Sequence, residues 1–292
     1  MTPRPQAITR ARLARTPLPA LDDNGDKDTR GKVLVVGGSV TVAGAVLLAG
    51  VATLRAGAGK LQLATVESAA TALGMAVPES LVVSLPQSRA GEISAKRSAP
   101  QLAEYAALCD AMLIGPGMGA ERSARALVGA LAGSMKHDAT LVLDAAAVTS
   151  LRGDVDVIAP MAGRVVITPH AGEMATLLGV DIAEVQADPA AFAVRAAGEL
   201  GIVVALKGAE SWIADAGGTL LRYSGGSVGL ATSGSGDTLA GIVAGLAARG
   251  ASPLCAAMWA CTCTVPRARC WQSGSAGWAT SRASCWTKCR GC

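Results

Sequence analysis

Gly234-Ser235-Gly236-Asp237 stands directly before a stretch whose apolar residues Leu239, Ile242, Val243 and Leu246 fall at helical spacing. Glycines at the mouth of a helix let backbone N–H groups face inward, and with the helix dipole they make a pocket for an anion such as a phosphate. Asp237 at the lip of that pocket could take the proton of a substrate hydroxyl beside a bound phosphate. A plain helix cap uses the same residue types, so the chemical reading depends on the company Asp237 keeps. His170, one of two histidines, follows Thr168-Pro169 and precedes Glu173 by three residues. In a strand-end loop its ring can meet a ligand or move a proton, whereas a satisfied structural ring is the plainer use. His137, between Lys136 and Asp138, reads as a solvated turn residue. Gly115-Pro116-Gly117-Met118-Gly119 makes a tight turn or lets backbone approach a ligand closely. Lys207 follows the apolar run Ile202–Leu206 and is either a surface charge or a cation for a phosphate or ribose.

The elements that must position these residues are legible as short apolar runs alternating with Ala/Leu-rich segments. Val33–Val36, Lys60–Thr65, Ala111–Ile114, Thr140–Leu143, Val165–Thr168 and Ile202–Leu206 read as strands, and 42–57, 100–108, 120–133, 172–178, 187–200 and 237–249 as helices. Strands apolar throughout and spaced by helices predict an α/β fold with a mostly parallel central sheet covered on both faces. Trp212–Ala214, Gly217-Gly218 and Thr219–Tyr223 read as a hairpin near one edge. Every motif above then falls beyond the carboxyl end of a strand, where such sheets gather small-molecule sites.

Composition narrows the class. A chain of 292 residues with 51% hydrophobic and 16% charged residues can bury a substantial core and is not a disordered segment. Its formal charge of +4 is carried by the end of the chain, since Asp237 is the last acid and Arg267, Arg269, Arg282, Lys288 and Arg290 follow it. The body therefore gives no electrostatic reason to expect nucleic acid. The uncharged run from Val33 to Leu54 is long enough to span a bilayer, but Gly37-Gly38-Ser39 interrupts it, and a buried strand, turn and helix explain it better. Arg4, Arg10, Arg12 and Arg15 have no apolar region after them, so no secretory signal is expected. Cys109 is the single cysteine before residue 255, and a cytoplasmic location is expected.

Taken in order, Gly-Lys-Val-Leu-Val-Val-Gly-Gly-Ser (31–39), Leu-Arg-Ala-Gly-Ala-Gly (54–59), Gly-Pro-Gly-Met-Gly (115–119), Thr-Pro-His-Ala-Gly-Glu (168–173), Leu-Lys-Gly-Ala (206–209) and Ser-Gly-Ser-Gly-Asp (233–237) resemble the ADP-dependent NAD(P)H-hydrate dehydratases, carbohydrate-kinase-like members of the ribokinase-like fold. The combination over roughly residues 27–260 carries the resemblance, because GxGD alone would admit the whole kinase superfamily. It implies dehydration of the S form of NADHX or NADPHX to NADH or NADPH, with ADP or possibly ATP as nucleotide, Mg²⁺ as cofactor, and AMP and phosphate released from ADP. Carried over by position, Ala45, Gly117, His170 and Asp237 would line the hydrate pocket, with Asp237 the catalytic base. Lys207, Gly208, Ala209, Glu210 and Ser211 would hold the nucleotide together with Gly234, Ser235 and Gly236. A homotetramer and a separate epimerase polypeptide are further implications; no membrane partner is expected. The family commonly has Leu-Asp-Ala-Asp-Ala-Leu where this chain has Leu143-Asp144-Ala145-Ala146-Ala147-Val148, so one carboxylate is missing at 146. A ribokinase-like kinase of a vitamin precursor and a non-catalytic nucleotide-binding relative share most of these features.

Three segments result: a polar, loosely packed lead-in over 1–30, the catalytic domain over 31–260, and a tail over 261–292. The tail has six cysteines, three of the five tryptophans, no acid and no leucine, and fits no helix or strand pattern. Back-translated from the third base of the Cys261 codon, it permits Tyr-Leu-His-Gly-Ala-Glu-Gly-Ala-Val-Leu-Ala-Glu-Arg, a family-like ending in another frame. A frameshift from about residue 261 is the expectation, with loss of the helix that packs beside the nucleotide site. Cys289-x-x-Cys292 alone is weak ground for zinc.

Overall fold

The computed structural model describes residues 3–20, 26–226 and 232–272, with side chains up to residue 263 in the last helix. Five apolar runs form adjacent parallel strands: β2 (Lys32–Val36), β5 (Ala111–Ile114), β6 (Thr140–Leu143), β7 (Val165–Ile167) and β8 (Val203–Leu206). On the far side of β2 lie β3 (Lys60–Val66) and β4 (Ser80–Leu85), also parallel. Beyond β8 come β9 (Ser211–Ala214), antiparallel to both its neighbours, then β10 (Leu220–Tyr223) and the two-residue β1 (Gln6–Ala7). The order β1-β10-β9-β8-β7-β6-β5-β2-β3-β4 makes one ten-stranded sheet. The chain leaves β2 towards β3 and β4, then returns to the other side of β2 as β5, so β2 and β5 flank the point where connections diverge. Ligand crevices open at such points because the turns on either side lead away from each other.

Alternate strand residues feed two cores. Val33, Val35, Ala111, Leu113, Val142 and Val166 face one layer, where α2 (Gly44–Arg55), α10 (Ser235–Ala248) and α11 (Pro253–Gln272) pack. Leu34, Val36, Met112, Ile114, Leu141, Leu143, Val165 and Ile167 face the other, with α5 (Glu121–Ala132), α7 (Ala171–Leu178) and α9 (Pro189–Leu200). Both sheet faces are thus dry, the physical reason the strands read as unbroken apolar runs. Truncating a fully buried leucine such as Leu113 or Leu141 to alanine would cost about 2–5 kcal/mol.

Helices α2 and α10 run nearly in backbone contact. A Cβ on Gly241 would lie 2.2 Å from the Ala49 carbonyl oxygen, and Thr53 Oγ1 donates to the Gly241 carbonyl at 3.0 Å. The uncharged run 33–54 is therefore strand, glycine turn and helix, and among the described residues no helix is long and apolar enough to cross a membrane.

In the lead-in, β1 pairs with β10, Ile8 is buried, α1 (Arg10–Arg15) follows with no buried residue, and Trp259 Nε1 donates to the Thr16 carbonyl at 2.8 Å. Helix α11 continues past position 261, with Cys255, Met258 and Cys261 buried against the α10 layer. The expectations for 273–292 lie outside the described residues. Sequence reading also missed β4 and α3 (Glu67–Ala76) before it, because β4 exposes Leu81 and alternates only weakly.

Candidate active site

Strand ends β2, β5, β6, β7 and β8 bring Gly37, Gly115, Asp144, Thr168 and Lys207 onto one rim, and the amino terminus of α10 closes over them. Gly234 enters the helix at φ +85°, a left-handed turn that a side chain would strain, and no side chain caps the helix. Ser235 N–H donates to the Thr232 carbonyl at 3.2 Å and Thr238 N–H to the Gly234 carbonyl at 3.0 Å, which leaves the Gly236 amide of the first turn to meet an anion.

Lys207 spans this mouth. Its Nζ donates to Asp144 Oδ1 at 2.9 Å and lies 3.8 Å from Glu173 Oε2, while a Cβ on Gly236 would sit 3.0 Å from the same nitrogen. Burial opposes the charge on Lys207, yet Asp144, Glu173 and Asp237 together with the Asp144 hydrogen bond more than offset it, and its pKa rises. The ammonium is firmly positive. Asp237 experiences the reverse balance. Burial first, then the like charges of Asp144 and, more weakly, Glu173 outweigh Lys207 and a backbone hydrogen bond, and its pKa is pushed up to about 6. A carboxyl in this range is a competent base near neutral pH.

Asp144 is only 4% exposed, and its Oδ1 also accepts from Thr168 Oγ1 at 2.7 Å. The next residue, Ala145, has φ +49°, the one positive φ among the described non-glycine residues, and marks a sharp strand-to-helix turn. Sequence reading met Asp144 only as a family landmark. Its signal was a carboxylate immediately after a wholly buried strand, the position where a charge has no structural reason to be unless it faces a site.

His170 caps α7: its Nδ1 accepts from the Gly172 and Glu173 amides at 3.0 and 3.2 Å, and the Glu173 carboxylate accepts the His170 backbone N–H at 2.8 Å. The cap fixes the ring, whose Nε2 lies 3.5 Å from Glu173 Oε1, while the side chain stays 60% exposed. Ala45 and Gly117 lie against each other. Gly117, at φ +67°, carries no Cβ where one would lie 2.9 Å from Ala45 Cβ and 2.4 Å from the Val42 carbonyl oxygen. Glu92 accepts from the Gly119 amide at 3.3 Å and steadies the same turn.

Gly208 and Ala209 form the turn from β8 to β9. Glu210 is not free to reach out with its side chain, because Arg222 Nε donates to it at 2.8 Å and the two form an ion pair. Any contact it makes with a ligand is through backbone. Ser211 lies beside buried Cys261, with which its hydroxyl is hydrogen-bonded. A shallow depression of about 240 Å³ between β8, Asp215 and Pro253 opens at the opposite end of the strands and has no part in this arrangement.

A family model described as NAD(P)H-hydrate dehydratase matches residues 33–282. The ADP-dependent (S)-NAD(P)H-hydrate dehydratase of Xanthomonas campestris pv. campestris is 50% identical over 258 residues, covering 88% of this chain and 85% of that protein. The bifunctional NAD(P)H-hydrate repair enzyme Nnr of Moorella thermoacetica is 40% identical over 83% of this chain, which spans 45% of that longer protein. Among solved structures, the ADP/ATP-dependent NAD(P)H-hydrate dehydratase of Bacillus subtilis, co-crystallized with ATP/Mg²⁺, is similar with a TM-score of 0.72 at 28% identity over 91% of this chain and 89% of that one.

Proposed function

The chain belongs to the NAD(P)H-hydrate dehydratase family, and from that premise we propose that it dehydrates the S form of NADHX or NADPHX, consuming ADP and releasing AMP and phosphate. The observation that carries this reading is Asp237, a carboxyl with a pKa near 6 at the uncapped mouth of α10, facing the Lys207 ammonium. Asp237 takes the proton of the ring hydroxyl, whose oxygen attacks the terminal phosphorus of ADP; the bond to the bridging oxygen breaks and AMP leaves. The Gly236 amide and Lys207 meet the charge that develops on the transferring group. The C–O bond of the phosphate ester then breaks, phosphate leaving with the bonding electrons as the lone pair of the ring nitrogen pushes it out, and loss of the proton on the neighbouring ring carbon restores the dihydronicotinamide.

Gly117 packs against Ala45 and the Val42 carbonyl, which fixes the turn that borders the ring in this reading, and the exposed His170 side chain lines the same pocket. The turn from Lys207 to Ser211 and Gly234–Gly236 receive the nucleotide. A magnesium ion would be carried mainly by the nucleotide's phosphates and waters. When bound, that ion neutralises phosphate charge. ADP is the donor in this reading, and the protein is cytoplasmic and self-associates.

Incubation with NADHX and Mg²⁺, in parallel with ADP and ATP, tests the reaction through recovery of the reduced-nicotinamide absorbance. One AMP per NADH is expected with ADP. Accumulation of a stable phosphorylated product without NADH would make the protein a small-molecule kinase instead, and ADP binding without turnover a non-catalytic relative.

A further inference from the structure

We propose that Asp144 is a positioning residue of the reaction: it holds the Lys207 ammonium at the mouth of α10, where the transferred phosphoryl group arrives. The inference rests on the reaction assigned above and adds to it the residue that decides where its cation stands. Two carboxylates lie within 4 Å of Lys207 Nζ, and Asp237 acts on it from further off. Asp144 Oδ1 accepts from Nζ at 2.9 Å, whereas Glu173 Oε2 is 3.8 Å away and already accepts the His170 backbone N–H. The nearer partner keeps the ammonium beside Gly236, where even a methyl group would lie at 3.0 Å. Without it, Lys207 is left between Glu173 and Asp237 with no hydrogen bond to fix where its charge stands.

Asp144 is itself fixed from three directions. Its backbone N–H donates to the Ile114 carbonyl at 3.1 Å, Thr168 Oγ1 donates to Oδ1 at 2.7 Å, and the absence of a side chain at Gly115 admits the Asp144 carbonyl, which a Cβ there would meet at 1.8 Å. The strained turn at Ala145, φ +49° and ψ −126°, completes the placement. Buried ion pairs seldom add net stability, so a carboxylate held this carefully points to orientation of its partner.

Positioning makes a distinctive prediction because the charge itself works the other way. Removing Asp144 deletes a negative group near the incoming phosphates, which favours nucleotide binding, while it misplaces the cation that the transition state needs. Asp144→Ala should therefore bind ADP as tightly as wild type or more so, and turn over about tenfold to a hundredfold more slowly. Lys207→Met should lose at least as much, and the double variant should be no slower than Lys207→Met alone. Asp144→Asn retains an oxygen for Thr168 and Lys207 and should recover part of kcat; it also serves as the folded comparison should the alanine variant not fold. The proposal is overturned by an Asp144→Ala kcat within threefold of wild type, by losses that multiply in the double variant, or by kcat, ADP affinity and Tm falling together. Failure of the wild type to form NADH would overturn the assigned reaction and this inference with it, whereas active wild type and unimpaired Asp144→Ala would remove this inference alone.

Discussion

Asp237→Asn separates what the site does for chemistry from what it costs the fold. In the native protein the Asp237 carboxyl has its pKa raised from 3.8 to about 6, chiefly by burial and then by Asp144. Between these values the folded state binds a proton that the unfolded chain has released, so stability falls as pH rises from about 4 through 6. The full shift corresponds to about 3 kcal/mol at 1.36 kcal/mol per unit; because the carboxyl lies at a solvent-facing mouth, screening reduces this to about 1 kcal/mol. Asn at 237 carries no charge and escapes the penalty. At pH 7 the variant should be about 1 kcal/mol more stable than wild type, and the two should converge below pH 4. Urea denaturation at several pH values reads this directly, provided the slopes agree. Dehydration by the same variant should fall about 10²- to 10⁴-fold, and wild-type kcat should lose activity on an acid limb centred near pH 6. A variant less stable than wild type at pH 7, or a wild-type acid limb near pH 4, would refute the placement of Asp237 in a half-buried, negatively flanked mouth.

Gly117→Ala must fit a Cβ 2.4 Å from the Val42 carbonyl oxygen at φ +67°; it should lower stability by about 1–3 kcal/mol and raise KM for NADHX, measured by denaturation and steady-state kinetics. Ala145→Gly relieves the positive φ at about 1–3 kcal/mol against a chain-entropy cost of about 0.5–1 kcal/mol, so a net gain near 1 kcal/mol is expected in urea. Burial, aided by Asp110, pushes the fully buried Cys109 thiol up to about 12. Its peptide should resist iodoacetamide in native buffer and label only on unfolding, as read by mass spectrometry.

Which parts were legible follows from how each signal is written. The strands β2, β5, β6, β7 and β8 are continuous apolar runs ended by glycine, aspartate, threonine or lysine, and a doubly covered sheet leaves that pattern in any window of the chain. Gly117 and Gly234 were legible for the same local reason, since a backbone forced to positive φ selects glycine. β4, with Leu81 exposed, and the two-residue β1 were not, because a strand at the margin of a sheet is specified by its neighbour more than by its own residues. α11 runs on past position 261 although its sequence there lacks helical patterning, because Ala256, Ala257, Met258, Ala260 and Cys261 before it fill the α10 layer.

By itself the sequence determined the element types, the strand-end glycines and the acid before the last core helix, because backbone conformation and hydrophobic period are local demands on residue type. Only the tertiary structure decided that Asp144, Lys207 and Glu173 share one mouth with Asp237, that Glu210 is tied to Arg222, and that the His170 ring is held by its own helix. Charge–charge energies depend on separation and dielectric. Residues 144 and 237 acquire both only once five strands and two helices have been brought together.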